Sequence, residues 1–387
     1  MGFALQCFRH LGLSLPYLVM ALSPEQRQSL LTAKVRALVA GTWRSAASGP
    51  ESVDACQKFP FMAGAGLFDP VTKTAWLLVD ESRIERDPMD AATTPAPLPR
   101  GWLGGAIVAA TRKGIVELHI LADNLYGDDT RRAAYFTLQP KLWRVVGRGV
   151  LPVSSTPFVM PAEPSAVEML FAEVIEEAGA EAVVDHGVLK AEVLGLEVGR
   201  VTLDEDDVPR LDVGVGRHDQ LAQAMMYGTA QVDESLRVAV AAVRNFRNRT
   251  AGSHPANQLS PERWLRTLVP RMPTLAGFAP DQHATFTFVA GTEPVRLKHP
   301  SPAIALVDFT DIETGEPRQA VLGVSVGVDL DAPAYAADAR SFYRPNADLY
   351  LMWPDGTNID AMTQAAQALA IPVQWAAIPN DWRTVLA

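Results

Sequence analysis

Three observations predict an α/β protein, α+β overall, in which an N-terminal helix and an antiparallel β domain precede a mixed-sheet α/β region. Apolar residues recur at helical spacing in two early stretches: Leu31, Val35, Leu38 and Val39, then Val167, Leu170, Phe171, Val174, Ile175 and Ala178. Short β-rich runs separated by turn signals fill the stretch between Phe59 and Val153. The C-terminal part alternates strand, helix, strand, helix, strand with short links, which implies right-handed crossovers and a parallel sheet.

In chain order, Ser23-Pro24-Glu25-Gln26 reads as a helix start, with Ser23 as cap, Pro24 at the first helical position and Gln26 closing a capping box. Phe59–Phe68 and Thr74–Val79 flank the turn Asp69-Pro70. Trp102–Ala110 and Ile115–Leu121 flank Arg112-Lys113-Gly114, and Tyr135–Leu138 precedes Leu142–Val146. Together they suggest a small antiparallel sheet or barrel. Pro152, Pro157, Pro161 and Pro164 mark a boundary, so 1–152 and 165–387 are the expected domains, and 250–300 offers a further division point. A helix ending at Gly179, a strand at Ala182–Val184, a hairpin and helices at about Asp219–Tyr227 and Glu234–Asn248 follow. Ser260-Pro261-Glu262 repeats the Ser-Pro-Glu start. Ala303–Phe309 and Gln319–Leu330 form a hairpin, then come helix Ala334–Tyr343, strand Leu349–Trp353, helix Ile359–Leu369 and strand Val373–Ile378. Val213–Val215 and Val326–Val328 echo each other, each after a hairpin and before a helix.

At 387 residues the chain is long for one core, and its 48% hydrophobic and 20% charged fractions are those of a globular protein. A net charge of −10 argues against broad capture of nucleic acid or an anionic membrane, leaving room for a local basic groove. Cys7 and Cys56, far apart, make neither a disulfide framework nor a thiolate zinc site. The apolar run Leu11–Leu22 is too short to span a bilayer, and Pro24 disfavours signal cleavage after Ser23, so a cytoplasmic chain is expected. Trp264, Trp353 and Trp375 sit beside apolar residues and are expected in the core.

The stretch Val188–Gly228 carries the chemistry worth weighing. Leu194–Leu203 and Arg210–Val215 form a hairpin with an acidic tip, Asp204–Pro209, which places Glu197 on one strand and Asp212 on the next. Two carboxylates on one face would suit a hard divalent cation such as Mg²⁺, able to polarise a phosphodiester and activate a water. Acidic tips and alternating Gly and Val are equally the marks of a solvated turn and a closely packed strand end. Three weaker candidates lie elsewhere. His254-Pro255-Ala256-Asn257 could face a cleft, Glu262, Arg263 and Arg266 could pair along their helix, and Asp329-Leu330-Asp331 could hold a cation or simply start a helix.

The order helix, strand, hairpin, helix over 164–228 resembles the core of the PD-(D/E)XK nucleases. The resemblance implies that Glu197 and Asp212 are metal ligands and catalytic acids, with Asp212-Val213-Gly214 in the place of the (D/E)-x-K tripeptide. Gly214 stands where the catalytic Lys belongs, leaving His218 as the group able to assist a water, since Arg217 cannot serve as a base. Gln223-Ala224-Met225-Met226-Tyr227 matches the Q-x-x-x-Y of some members. Leu211–Gly216 also looks like the first motif of class I S-adenosylmethionine methyltransferases, with acids at Asp233 and Glu234 at about the ribose-binding distance; that resemblance implies a central parallel strand at Arg210–Val215. Three functions are therefore carried forward: a metal-binding, nuclease-like domain, a methyltransferase, and a non-catalytic interaction or scaffold protein.

Overall fold

Ser23 starts a helix as its sequence dictates. In the computed structural model, which describes residues 23–43, 49–83, 98–216, 219–220, 232–247, 254–279, 282–293, 301–357 and 360–386, the Ser23 hydroxyl accepts from the Gln26 amide at 3.2 Å. The Ser23 amide in turn donates to the Gln26 side chain at 3.0 Å. Helix α1 (Pro24–Thr42) then lays Val35, Leu38 and Val39 against a first sheet, together with Trp43.

That sheet has the order β1 (Gln57–Phe61), β2 (Gly64–Asp69), β3 (Thr74–Val79), β4 (Glu117–Ala122), β5 (Lys141–Val146) and β6 (Gly149–Pro152). It is antiparallel across β1–β3 and β5–β6, and parallel across β3–β4–β5. The parallel part corrects the expected small antiparallel sheet or barrel. It needs crossover helices, and they are α2 (Trp102–Lys113) and α3 (Gly127–Ala133). The expected strand Trp102–Ala110 is thus a helix, framed by Gly101 and Gly114 in the left-handed region. A helix buried nearly all round shows no polar stripe, so its apolar run has the texture of a buried strand. Tyr135–Leu138, expected as a strand, contributes a single bridge from Phe136 to Leu369.

Next, α4 (Ala166–Met169) and α5 (Phe171–Glu177) replace the one expected helix. The meander β7 (Glu181–Asp185), β8 (Val188–Val193), β9 (Leu196–Leu203), β10 (Pro209–Val213) follows, fully antiparallel. Ile175 of α5 and Leu236, Val240 and Val243 of α6 (Val232–Phe246) cover its apolar face. Helix α7 (Pro261–Leu268) leads to the third sheet, β11 (Ala284–Val289), β12 (Ala303–Thr310), β13 (Pro317–Val324), β14 (Asp348–Pro354) and β15 (Val373–Ile378). Helices α8 (Ala332–Tyr343) and α9 (Asp360–Gln367) carry the crossovers, and α10 (Trp382–Leu386) closes the chain.

The first and third sheets are built alike. Each runs helix, three antiparallel strands, helix, parallel strand, helix, parallel strand, and each begins from a Ser-Pro-Glu sequence at its outer helix. Helix α1 lies on β2 and β3, as α7 lies on β12 and β13. The internal repeat is therefore this long unit. The Val-Gly-Val echo is not part of it: Val213 ends the edge strand β10, while Val326–Val328 lie in the loop after β13.

The two units share one core. Ile107, Leu118, Ile120 and Phe136 of the first merge with Val321, Leu351, Trp353 and Met362 of the third. Four helices make the middle layer, α2 against α9 and α8 against α3. The seam is reciprocal: the Thr137 amide donates to Ala368 O at 2.9 Å, and the Ala370 amide to Tyr135 O at 2.8 Å. These two bonds form one antiparallel bridge between Phe136 and Leu369, and the helix pairs α2–α9 and α8–α3 exchange roles between the units as they would about a pseudo-two-fold axis. Helices α2 and α8 also meet end to end, close enough that a Cβ on Gly104 would fall 1.8 Å from Leu330 O. No helix among the described residues is long and apolar enough to cross a membrane.

Candidate functional site

The polar face of β7–β10 collects the acids singled out above. A register shift sets Val198 and Gly199 together opposite Ala191, so that Glu192 pairs with Glu197 and Lys190 with Arg200. Such a bulge resets the alternation of side chains. Leu196, Val198 and Val201 all enter the core, while Glu197 and Arg200, three residues apart, share the polar face. Asp212 lies opposite Arg200 in the β9–β10 register and belongs to the same face.

Each acid arrives with its own partners. Arg200 donates to both Glu197 oxygens, at 2.5 and 2.9 Å, Gln220 donates at 3.2 Å, and the Lys190 ammonium stands 3.3 Å away. Burial alone would raise the Glu197 carboxyl, but the Lys190 charge and the Arg200 hydrogen bond hold it below the usual carboxylate range. Asp212 accepts from the Thr202 hydroxyl at 2.8 Å and pairs with Arg210 at 3.0 Å. All four carboxylate oxygens are thus engaged, a donor set that suits internal ion pairing better than a hard cation seeking free carboxylate oxygens. Among the described residues no group of three or more His, Cys, Asp or Glu is arranged to hold a metal ion.

Gly214 is required for a backbone reason. Its φ is +141°, and a Cβ there would lie 2.8 Å from the Gln220 amide nitrogen, so no lysine could replace it without moving the chain. His218, Arg217 and Gln223–Tyr227 lie outside the described residues. The strand holding Asp212 is an antiparallel edge strand, whereas the methyltransferase motif calls for a central parallel one.

Sequence reading missed the centre of this face. Asp185, 2% exposed, closes β7 just before the two-residue turn His186-Gly187. It accepts from Lys190 at 2.7 Å, from Arg263 of α7 at 2.7 Å and meets His186 Nδ1 at 2.8 Å. Although burial opposes its charge, the His186 hydrogen bond and the Arg263 and Lys190 cations hold its carboxyl far below the usual range. Arg263 also donates to Glu192. A His-Gly turn and a Lys two residues before a Glu were visible as sequence, but only tertiary pairing identifies them as a hub.

The other candidates resolve as follows. Glu262, Arg263 and Arg266 do not pair along α7; all three are buried, and Arg266 donates to Val289 O and Ile304 O. Asp329 pairs with Arg100 at 2.5 Å, while Asp331 precedes α8 and accepts from the Gly101 and Gly104 amides at 2.8 Å each. Burial pushes the Asp331 carboxyl up to about 7, with the Asp329 charge adding to the shift, and burial likewise raises Glu262 to about 7. His254 stacks on Phe246 at 3.7 Å. Trp264 and Trp353 are core residues, whereas Trp375 is 39% exposed.

No protein-family model, curated protein or solved structure matches the chain.

Proposed function

We propose that the chain is a non-catalytic interaction or scaffold protein, in which the polar face of β7–β10 is an internal clamp. One observation carries this reading: Arg263 reaches from α7 between Asp185 and Glu192, so the charged face of β7–β10 is tied to the neighbouring unit by charge-assisted hydrogen bonds. Mg²⁺ and Mn²⁺ titrations at constant ionic strength, read by thermal shift, test it. No saturable rise in melting temperature is expected, and DNA and RNA oligonucleotides should survive incubation. Saturable stabilisation together with cleavage lost in Glu197→Gln would overturn the proposal.

One observation favours the nuclease-like reading as a second. Lys190 stands beside Glu197 from the neighbouring strand, giving the acid pair the lysine that Gly214 withholds. On that reading Lys190→Met abolishes metal-dependent cleavage while the protein remains folded.

A further inference from the structure

The duplicated architecture allows the two units to be compared edge by edge, and they differ at one edge. In the first unit β5 is not the last strand, because β6 covers it antiparallel over Trp143–Val146 and Gly149–Pro152. The chain then stays close, with the Val153 amide donating to Leu142 O at 3.0 Å. In the third unit the equivalent strand β15 ends the sheet. Among the described residues no backbone hydrogen bond reaches it except those of its parallel pairing with β14.

The consequence shows in one pair of matched side chains. Leu142 pairs with Ile120 of β4, and Trp375 pairs with Leu351 of β14; Ile120 and Leu351 occupy the shared core from opposite sides. Leu142, inside the shared core where Val153 packs against it, is 3% exposed, and Trp375 is 39% exposed. Gln374 and Ala377 are exposed as well. Edge strands are commonly protected by charge, proline or a bulge. The strand Val373-Gln374-Trp375-Ala376-Ala377-Ile378 has none of these within it; its prolines, Pro372 and Pro379, flank it.

We propose that β15 is an interaction edge that pairs antiparallel with β15 of a second copy of this chain. The first unit shows which orientation this edge accepts, since β6 runs antiparallel to β5. A two-fold axis between two β15 strands produces that orientation automatically, with the same residues contributed by both copies. The strand bears no charge, so pairing it with itself opposes no like charges in register. Two copies joined this way carry their five-stranded sheets into one continuous ten-stranded sheet and lay a strand beside the exposed Trp375. This inference is independent of whether the chain has an activity.

The test uses the full chain in sedimentation velocity and light scattering across a dilution series. A reversible dimer is expected. Because each copy carries a net charge of −10, added salt should strengthen association by screening repulsion. The variant Gln374→Lys/Ala377→Lys, which places charge on both sides of the edge, should be monomeric with an unchanged far-ultraviolet spectrum. A wild-type chain that stays monomeric throughout, or a folded double variant that still dimerises, overturns the proposal. Should the variant fail to fold, hydrogen exchange on the wild type decides. Amides of 373–378 that exchange faster on dilution support the dimer, and protection independent of concentration overturns it.

Discussion

Replacing Arg263 with Met tests whether the polar face of β7–β10 is a clamp. The guanidinium is 8% exposed and joins Asp185, at 2.7 Å, to Glu192. After the substitution Asp185 keeps Lys190 and His186. Glu192, 1% exposed, keeps no cation at ion-pair distance among the described residues. Removing one partner of a buried pair costs about 3–5 kcal/mol, since a charge remains without its counter-ion. One of the two carboxylates keeps its other partners, so the expected loss is about 3 kcal/mol, in the lower part of that range. Urea unfolding followed by tryptophan fluorescence reads the effect beside the change, because Trp264 is the next residue of α7. The second half of the experiment is a double-mutant cycle. Glu192→Gln removes the stranded charge, so Arg263→Met/Glu192→Gln should recover about 1–2 kcal/mol over the sum of the single losses. A single loss below about 1 kcal/mol, or strict additivity, would place Arg263 among ordinary surface ion pairs and refute the clamp.

Stability should fall as pH rises from about 5 to 8. Glu262, raised from 4.5 to about 7, binds a proton in the folded state that the unfolded chain releases at lower pH, so its ionisation costs roughly 3 kcal/mol across that window. Asp331 moves in the same direction, and Glu262→Gln should flatten the profile; a variant profile that runs parallel to the wild type from pH 5 to 8 would contradict the Glu262 assignment. The depressed carboxyls of Asp185 and Glu197 act oppositely, their contribution disappearing as pH drops below about 4, and buried His119, lowered by burial to about 4, likewise adds stability as pH rises towards 6.5. Gly104→Ala forces a Cβ to within 1.8 Å of Leu330 O and should cost more than about 2 kcal/mol, whereas Gly105→Ala, whose Cβ meets only Leu330 Cδ1 at 3.6 Å, should be near neutral in thermal melts.

Much of the fold is legible from local rules. The capping box at Ser23, the hairpin β12–β13 and the alternation from α8 to β15 follow from residues adjacent in sequence. What local rules miss has a common cause. Helix α2 is buried around most of its length, only its last turn from Thr111 to Lys113 being exposed, so the period that distinguishes helix from strand is absent up to Ala110. The candidate site is legible in part: Glu197 and Asp212 do share a face, but through a bulge at Val198–Gly199 that no composition signals. Their chemistry depends on Arg200, Lys190 and Arg210, and the hub at Asp185 depends on Arg263, 78 residues away. An acid pair read alone resembles a metal site. The same pair read with its cations is an ion-pair network.

The duplication gives that network its setting. A unit of this type buries one face of its sheet with its outer helix and leaves the crossover helices needing cover, as an unpaired amphipathic layer must. Joining two units through α2, α3, α8 and α9 satisfies both helix layers at once, which explains why Phe136 and Leu369 meet at the seam. Charge is placed differently on the two sides of the seam. Arg131 of α3 forks onto the buried Asp338 of α8 at 2.8 and 3.0 Å, whereas between α2 and α9 Arg112 donates to Gln364 at an exposed position. Units free to diverge in this way can specialise. The first closes its own edge with β6. Among the described residues the third has no strand beyond β15, and it sends Arg263, from its outer helix, into the inserted sheet.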